Sequence, residues 1–140
     1  MLKRTSNLMI SVTALSLGGM IYIFFREKTI IATFFADWHG INGIQRLFSK
    51  YKADFIRYYF VDFLWGFSLS TGIIALNDPS RKGLLFCAFL AFICGSLWEV
   101  LQHFRVVTGT ADLWDVFMYL LASIISVAIN LLRRENYEKN

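Results

Sequence analysis

The chain has 140 residues, a formal net charge of +4 and 56% hydrophobic residues, with a mean hydropathy of +0.52. A single domain of that size and apolarity cannot present a soluble surface, so the bilayer must be its solvent. The basic residues flank apolar segments instead of forming a stripe or an Arg-rich arm, which excludes nucleic acid as the partner. One proline and nine glycines leave no room for a long linker, and no internal repeat or low-complexity segment is present.

The first apolar run, about residues 7–25, carries no charge and is long enough to cross ~30 Å of hydrocarbon at ~1.5 Å per residue. Lys3 and Arg4 resemble the n-region of a secretory signal, but the run is long for an h-region and no small-x-small site follows. The reading is an uncleaved anchor, with Ala14 and Gly18 offering a small face for close helix contact. From residue 26 to 56 charge is mixed with apolar and aromatic residues, and Gly40 and Gly43 break the segment into short amphipathic pieces. The stretch of about 29–52 is expected to lie in the headgroup layer, with Phe34, Phe35, Trp38 and Phe48 toward apolar surroundings and Arg46, Lys50 and Lys52 toward phosphate. His39 beside Asp37 reads as a solvated loop pair.

The second span is expected over about 58–76, closed by Asn77, Asp78, Pro79 and Ser80, a turn signal that sends the next helix back. The third span covers about 83–103 and the fourth about 113–132, with Thr110 or Asp112 as the cap of the last helix and Arg133 and Arg134 suiting its C-terminal dipole. The fold class is therefore all-α: a polytopic transmembrane bundle of four helices with a short amphipathic interfacial segment between the first two. Lys3, Arg4, Arg81, Lys82, Arg133, Arg134 and Lys139 fall on one side, half of the 14 basic residues. Because those sit tight against span ends, both termini are placed in the cytoplasm and the protein in the cell membrane, as a multi-pass chain.

An ionisable residue at the centre of a span costs ~2.5–3.5 kcal/mol on the insertion scale, so each one needs a reason. Asp62 lies one turn into the second span, Glu99 one turn before the end of the third and Asp115 in the first turn of the fourth. Consecutive helices are antiparallel, so all three carboxylates arrive at one end of the bundle. Glu99, Gln102 and His103 share a face at i, i+3 and i+4, continued by Gly95 and Ser96. Asp112, Asp115, Tyr119, Ser123, Ser126 and Asn130 form a stripe on the fourth helix, and Tyr59, Asp62, Gly66 and Ser70 form another on the second. The candidate polar cluster comprises Asp62, Glu99, Gln102, His103, Arg105, Asp112, Asp115 and Tyr119.

Three roles fit such a cluster. Carboxylates paired with Arg57, Arg105 or His103 would fix helix register; a pocket for a lipid headgroup or other polar ligand would use Glu99 or Asp115 as acid or base and Arg105 as an anion clamp; a cation or proton pathway would run along the stripe from Tyr119 to Asn130. Glu99 with His103 makes a poor metal site, and Cys87 and Cys94 are packing residues, so no metal and no cofactor are implied. There is no phosphate loop, GxSxG or HExxH. The expected partners are the lipid bilayer and a lipid headgroup or cation, and binding is favoured over catalysis because no nucleophile with its base can be identified.

The segment Trp98, Glu99, Val100, Leu101, Gln102, followed by residues 109–115 and Tyr119, resembles the VanZ-like family of small bacterial membrane proteins. That family resembles E-x-x-Q, a loop, then R-x5-D-x3-N at the head of its last helix. Glu99, Gln102 and Asp115 match, whereas Gly109 stands at the Arg position and Tyr119 at the Asn position; the D-x3-Y form also resembles a related uncharacterised group. The resemblance implies a bacterial cytoplasmic membrane and an envelope-related role, and names no reaction.

Overall fold

The protein is described here by a computed structural model covering residues 2–25 and 55–138. The expected interfacial segment at about 29–52 lies outside these residues. The described chain is helical: α1 (Leu2–Phe25), a π-helical stretch (Phe55–Phe60), α2 (Val61–Asn77), α3 (Arg81–His103) and α4 (Leu113–Glu138). All four α-helices carry stretches long and apolar enough to cross a membrane. The four-helix membrane bundle expected from the sequence is thus the observed architecture.

Boundaries shift for local reasons. Helix α3 begins two residues before the expected Gly83 because Ser80 caps it, its Oγ accepting from the Gly83 N–H at 3.4 Å. Asp78 ends α2 in the left-handed region at φ 40°, with its N–H bonded to the Ile74 carbonyl; Pro79 follows, and the turn is complete. At the far end of α3 the Arg105 N–H bonds to the Gln102 carbonyl and the Val106 N–H to the Leu101 carbonyl, both at 2.9 Å. That paired pattern is a Schellman motif with Arg105, at φ 56°, in the position glycine usually takes. Asp112 caps α4, as expected, through its Oδ1 to the Trp114 N–H at 3.0 Å.

Helix α2 is the hub. It packs against α1, α3 and α4, and α3 packs against α4. The α1–α2 seam is built from small residues, as Ala14 and Gly18 foretold: Ala14 is buried, and a Cβ at Gly18 would stand 2.7 Å from the Trp65 ring. Two serines zip the seam, Ser11 Oγ donating to the Ser68 carbonyl and Ser68 Oγ to the Ser11 carbonyl, each at 2.8 Å. Close approach of this kind supplies the van der Waals contact that holds helices together where lipid is as apolar as leucine. Large apolar side chains such as Met9, Leu85, Phe86 and Ile124 point outward, as helices immersed in hydrocarbon require.

Near the end of the bundle that carries Asn7 and Asn130, Ile74, Leu84 and Cys87 form a closed core with Ile73 and Leu131 against them. Asn7 Nδ2 donates to Asn130 Oδ1 at 2.7 Å, Arg133 donates to Ser6 Oγ and Asn7 Oδ1, and Arg134 donates to the Pro79 carbonyl. The beginning of α1 and the end of α4 therefore lie together, on the same end as the turn between α2 and α3.

Candidate functional site

The opposite end of the bundle holds the carboxylates. Tyr119, buried in α4, organises it. Its ring occupies a slot left by two glycines: a Cβ at Gly95 of α3 would lie 2.7 Å from the ring, and one at Gly66 of α2 would lie 3.0 Å from it. No other residue type leaves that space, so three helices close around one aromatic ring. The ring fixes its hydroxyl at the Asp62 carboxylate, donating to Oδ1 at 3.3 Å.

Glu99 is 5% exposed, unusual for a carboxylate within a span, and it is held by donors from the loop and its own helix. The Asp112 N–H donates to Glu99 Oε2 at 3.2 Å. With the Gln102 amide oriented to satisfy both of its ends, its nitrogen donates to Glu99 Oε2 at 3.2 Å and to the Thr110 carbonyl at 3.1 Å, and its oxygen accepts from Trp98 Nε1 at 3.0 Å. Gln102 thus ties the α3 stripe to the loop leading into α4. Gly109 makes that possible: it stands at φ 143°, and a Cβ there would fall within 2.4 Å of the Gln102 amide. A glycine at the position where the VanZ-like pattern has arginine is a steric requirement of this arrangement. The Asp115 carboxyl neighbours those of Asp62, Glu99 and Asp112.

Of the eight candidate residues, Asp62, Glu99, Gln102, Asp112, Asp115 and Tyr119 line a single cavity of about 940 Å³. The other two do not join it. His103 is exposed and set edge-on to Phe104; Arg105 is exposed and serves as the left-handed residue that terminates α3. The expected anion clamp and the expected ion pairs through these two residues are therefore absent among the described residues. Helical phase places a side chain only while the helix lasts, and α3 ends at His103.

Sequence reading missed several lining residues. Tyr58 reaches the cavity from the π-helical stretch, whose register sequence periodicity does not reveal; Tyr59, expected on the stripe of the second helix, lines it too. Cys94 also lines it and is exposed, although it shares a helical face with the buried Cys87. The packing face of α3 is closed around Cys87 and open at Cys94, where the cavity begins. Exposed Trp98 and Trp114 flank this end as interfacial anchors do. Among the described residues no group of three or more His, Cys, Asp or Glu side chains has the arrangement of a metal site.

Fold and site define a class, a four-helix membrane protein with a carboxylate-lined cavity at one end. No protein-family model, curated protein or solved structure matches the chain.

Proposed function

We propose that this protein is a binding protein of the bacterial cell envelope, holding a cationic group in the acidic mouth of its bundle, with both termini in the cytoplasm and the mouth facing outward. The observation that carries the reading is the convergence of Asp62, Glu99, Asp112 and Asp115 on one cavity. An ammonium ~4 Å from one of these carboxylates gains about 4 kcal/mol at an effective dielectric of 20. The lack of a metal-type arrangement among the described residues favours an organic cation over a metal ion. A volume of about 940 Å³ lies at the upper end of the ~300–1,000 Å³ common for small-molecule sites. The resemblance of Glu99, Gln102 and Asp115 to the VanZ-like pattern is in keeping with an envelope role.

A proton or cation pathway along α4 is less well supported. Ser123, Ser126 and Asn130 continue the stripe, but they are buried and stand apart from the lining of the acidic cavity. Catalysis on a lipid headgroup would use Glu99 or Asp115 as acid or base, and turnover of a lipid or isoprenoid phosphate that Glu99→Gln stops with binding retained would establish it in place of binding.

The test is thermal unfolding of the purified protein with increasing butylamine, against butyrate as the oppositely charged control. Saturation at 100 times Kd adds about 2.7 kcal/mol, and Glu99→Gln and Asp115→Asn, which remove charge at nearly constant volume, are expected to abolish the amine effect. Equal stabilisation of wild type and variants, or none by the amine, would refute the reading.

A further inference from the structure

Three serine side chains lie deep in the bundle: Ser70 of α2 and Ser126 of α4 are 0% exposed, and Ser123 of α4 is 5% exposed. None of their hydroxyls has a hydrogen-bond partner among the described residues. A helical hydroxyl has an acceptor within reach at the carbonyl four residues back, and Thr71 uses it, donating to the Phe67 carbonyl at 2.7 Å. Ser70, its neighbour in the chain, does not. Ser96 of α3 lacks a partner as well, but that residue is only half-buried.

The helices bring the three buried hydroxyls to one level. Helices α2 and α4 run in parallel from the carboxylates toward Asn130, and a Cβ at Gly66 would stand 3.3 Å from that of Ala122. Two turns further along, Ile74 belongs to the closed core against which Leu131 packs. Ser70 falls one turn beyond Gly66 and Ser126 one turn beyond Ala122, between those two contacts, and Ser123 stands one turn beyond Tyr119. All three lie within spans. Hydrocarbon supplies no hydrogen bond there, so an unpaired hydroxyl carries its full desolvation cost.

We propose that Ser70, Ser123 and Ser126 form a buried water-binding site between α2 and α4, in which water bridges the Ser70 hydroxyl to those of Ser123 and Ser126. The chemistry of the level selects the ligand. No Asp, Glu, Lys, Arg or His occurs over residues 63–77, 83–98 or 116–132, so nothing there would compensate an ion. Hydroxyls instead suit a neutral group that both donates and accepts. A buried water typically makes about three hydrogen bonds to groups of this kind, and three fully buried serines converge here. The surroundings are small side chains: Ala122 on α4, and on α3 the buried Ala88 and Ala91, which fall between Gly95 at the Tyr119 ring and Leu84 in the closed core. The site shares no residue with the lining of the carboxylate cavity and stands whether or not that cavity takes a cation.

The experiment is water-edited solid-state NMR on the full chain in phosphatidylcholine bilayers, with serine and isoleucine labelled at the amide nitrogen. At short mixing times, magnetisation from water is expected to reach the amides of Ser70, Ser123 and Ser126 and not that of Ile74, one turn below in the closed core. Ser126→Val, which puts methyl groups where the water would stand, is expected to remove the transfer at Ser70 and Ser123 although both hydroxyls remain. Should that variant fail to fold, Ser70→Ala combined with Ser126→Ala withdraws two of the three hydroxyls without added bulk and is expected to remove the transfer at Ser123. The same two alanines, singly and together, give a second readout in bilayer unfolding. Hydroxyls that share a water should depart from additivity by roughly twofold or more in the unfolding constant, whereas hydroxyls that turn back to their own helices should be additive. Several results would overturn the site: no transfer to the three serines in wild type, transfer to Ile74 as strong as to them, undiminished transfer at Ser123 in the double-alanine variant, or strict additivity of the two alanines.

Discussion

At one end of the bundle Asn7, Asn130 and Arg133 bond to one another and to Ser6, and Ile74, Leu84 and Cys87 pack beneath them. At the other, Asp62, Glu99, Asp112 and Asp115 surround a cavity. Both ends bury polar groups, yet the first set combines donors with acceptors and closes on itself. The second is rich in acceptors of one charge. The Tyr119 hydroxyl, the Gln102 amide and the Asp112 N–H position Asp62 and Glu99 but supply no positive charge. A closed polar knot ties helices together; the second set lines a cavity instead.

The largest effect is expected where the open end depends on shape. Gly95→Leu would drive a side chain into the Tyr119 ring, whose nearest atom is 2.7 Å from the new Cβ, and overpacking of this kind costs about 1–3 kcal/mol. Steric-trapping measurements of unfolding in bilayers should show that loss together with loss of amine binding, since the displaced Tyr119 no longer fixes Asp62.

The closed end should respond in stability alone. Asn130→Ala removes the tie to Asn7, and interhelical polar pairs in membranes average ~0.6 and reach ~1.7 kcal/mol. The same unfolding measurement should fall within that range while butylamine affinity stays unchanged. A change in amine affinity would mean that the two ends are coupled and the distinction between them is false.

The smallest effect is expected at Arg105. Its left-handed backbone costs an L-residue about 1–2 kcal/mol, offset by the roughly 0.5–1 kcal/mol that glycine loses in chain entropy on folding. Arg105→Gly should therefore raise stability slightly and leave amine binding intact, because the side chain plays no part in the cavity. Weakened binding in this variant would restore Arg105 to the site.

The difference between the ends also explains what the sequence made legible. Asp62, Glu99, Asp115 and Tyr119 could be brought together from antiparallel order and helical phase because each lies within a helix. His103 and Arg105 could not, because α3 ends at His103 and Arg105 is itself the left-handed residue beyond that end, a role no sequence pattern assigns to arginine. Asn7 read only as the start of a span, since its partner Asn130 is 123 positions away. Gly109 carried a signal, a glycine at a position of the resembled pattern that calls for arginine, but its meaning required the Gln102 amide against it.

The central claim is that the carboxylates serve a ligand and not the fold, and ligand-free unfolding of Glu99→Gln and Asp115→Asn, singly and together, tests it most directly. The account predicts stability equal to or above wild type in every variant, because each removes like-charge repulsion and the amide introduced by Glu99→Gln keeps an oxygen for the Asp112 N–H. A loss near the ~3 kcal/mol typical of breaking a buried charge pair, in either single variant, would show that the cluster holds the helices together and would contradict the account.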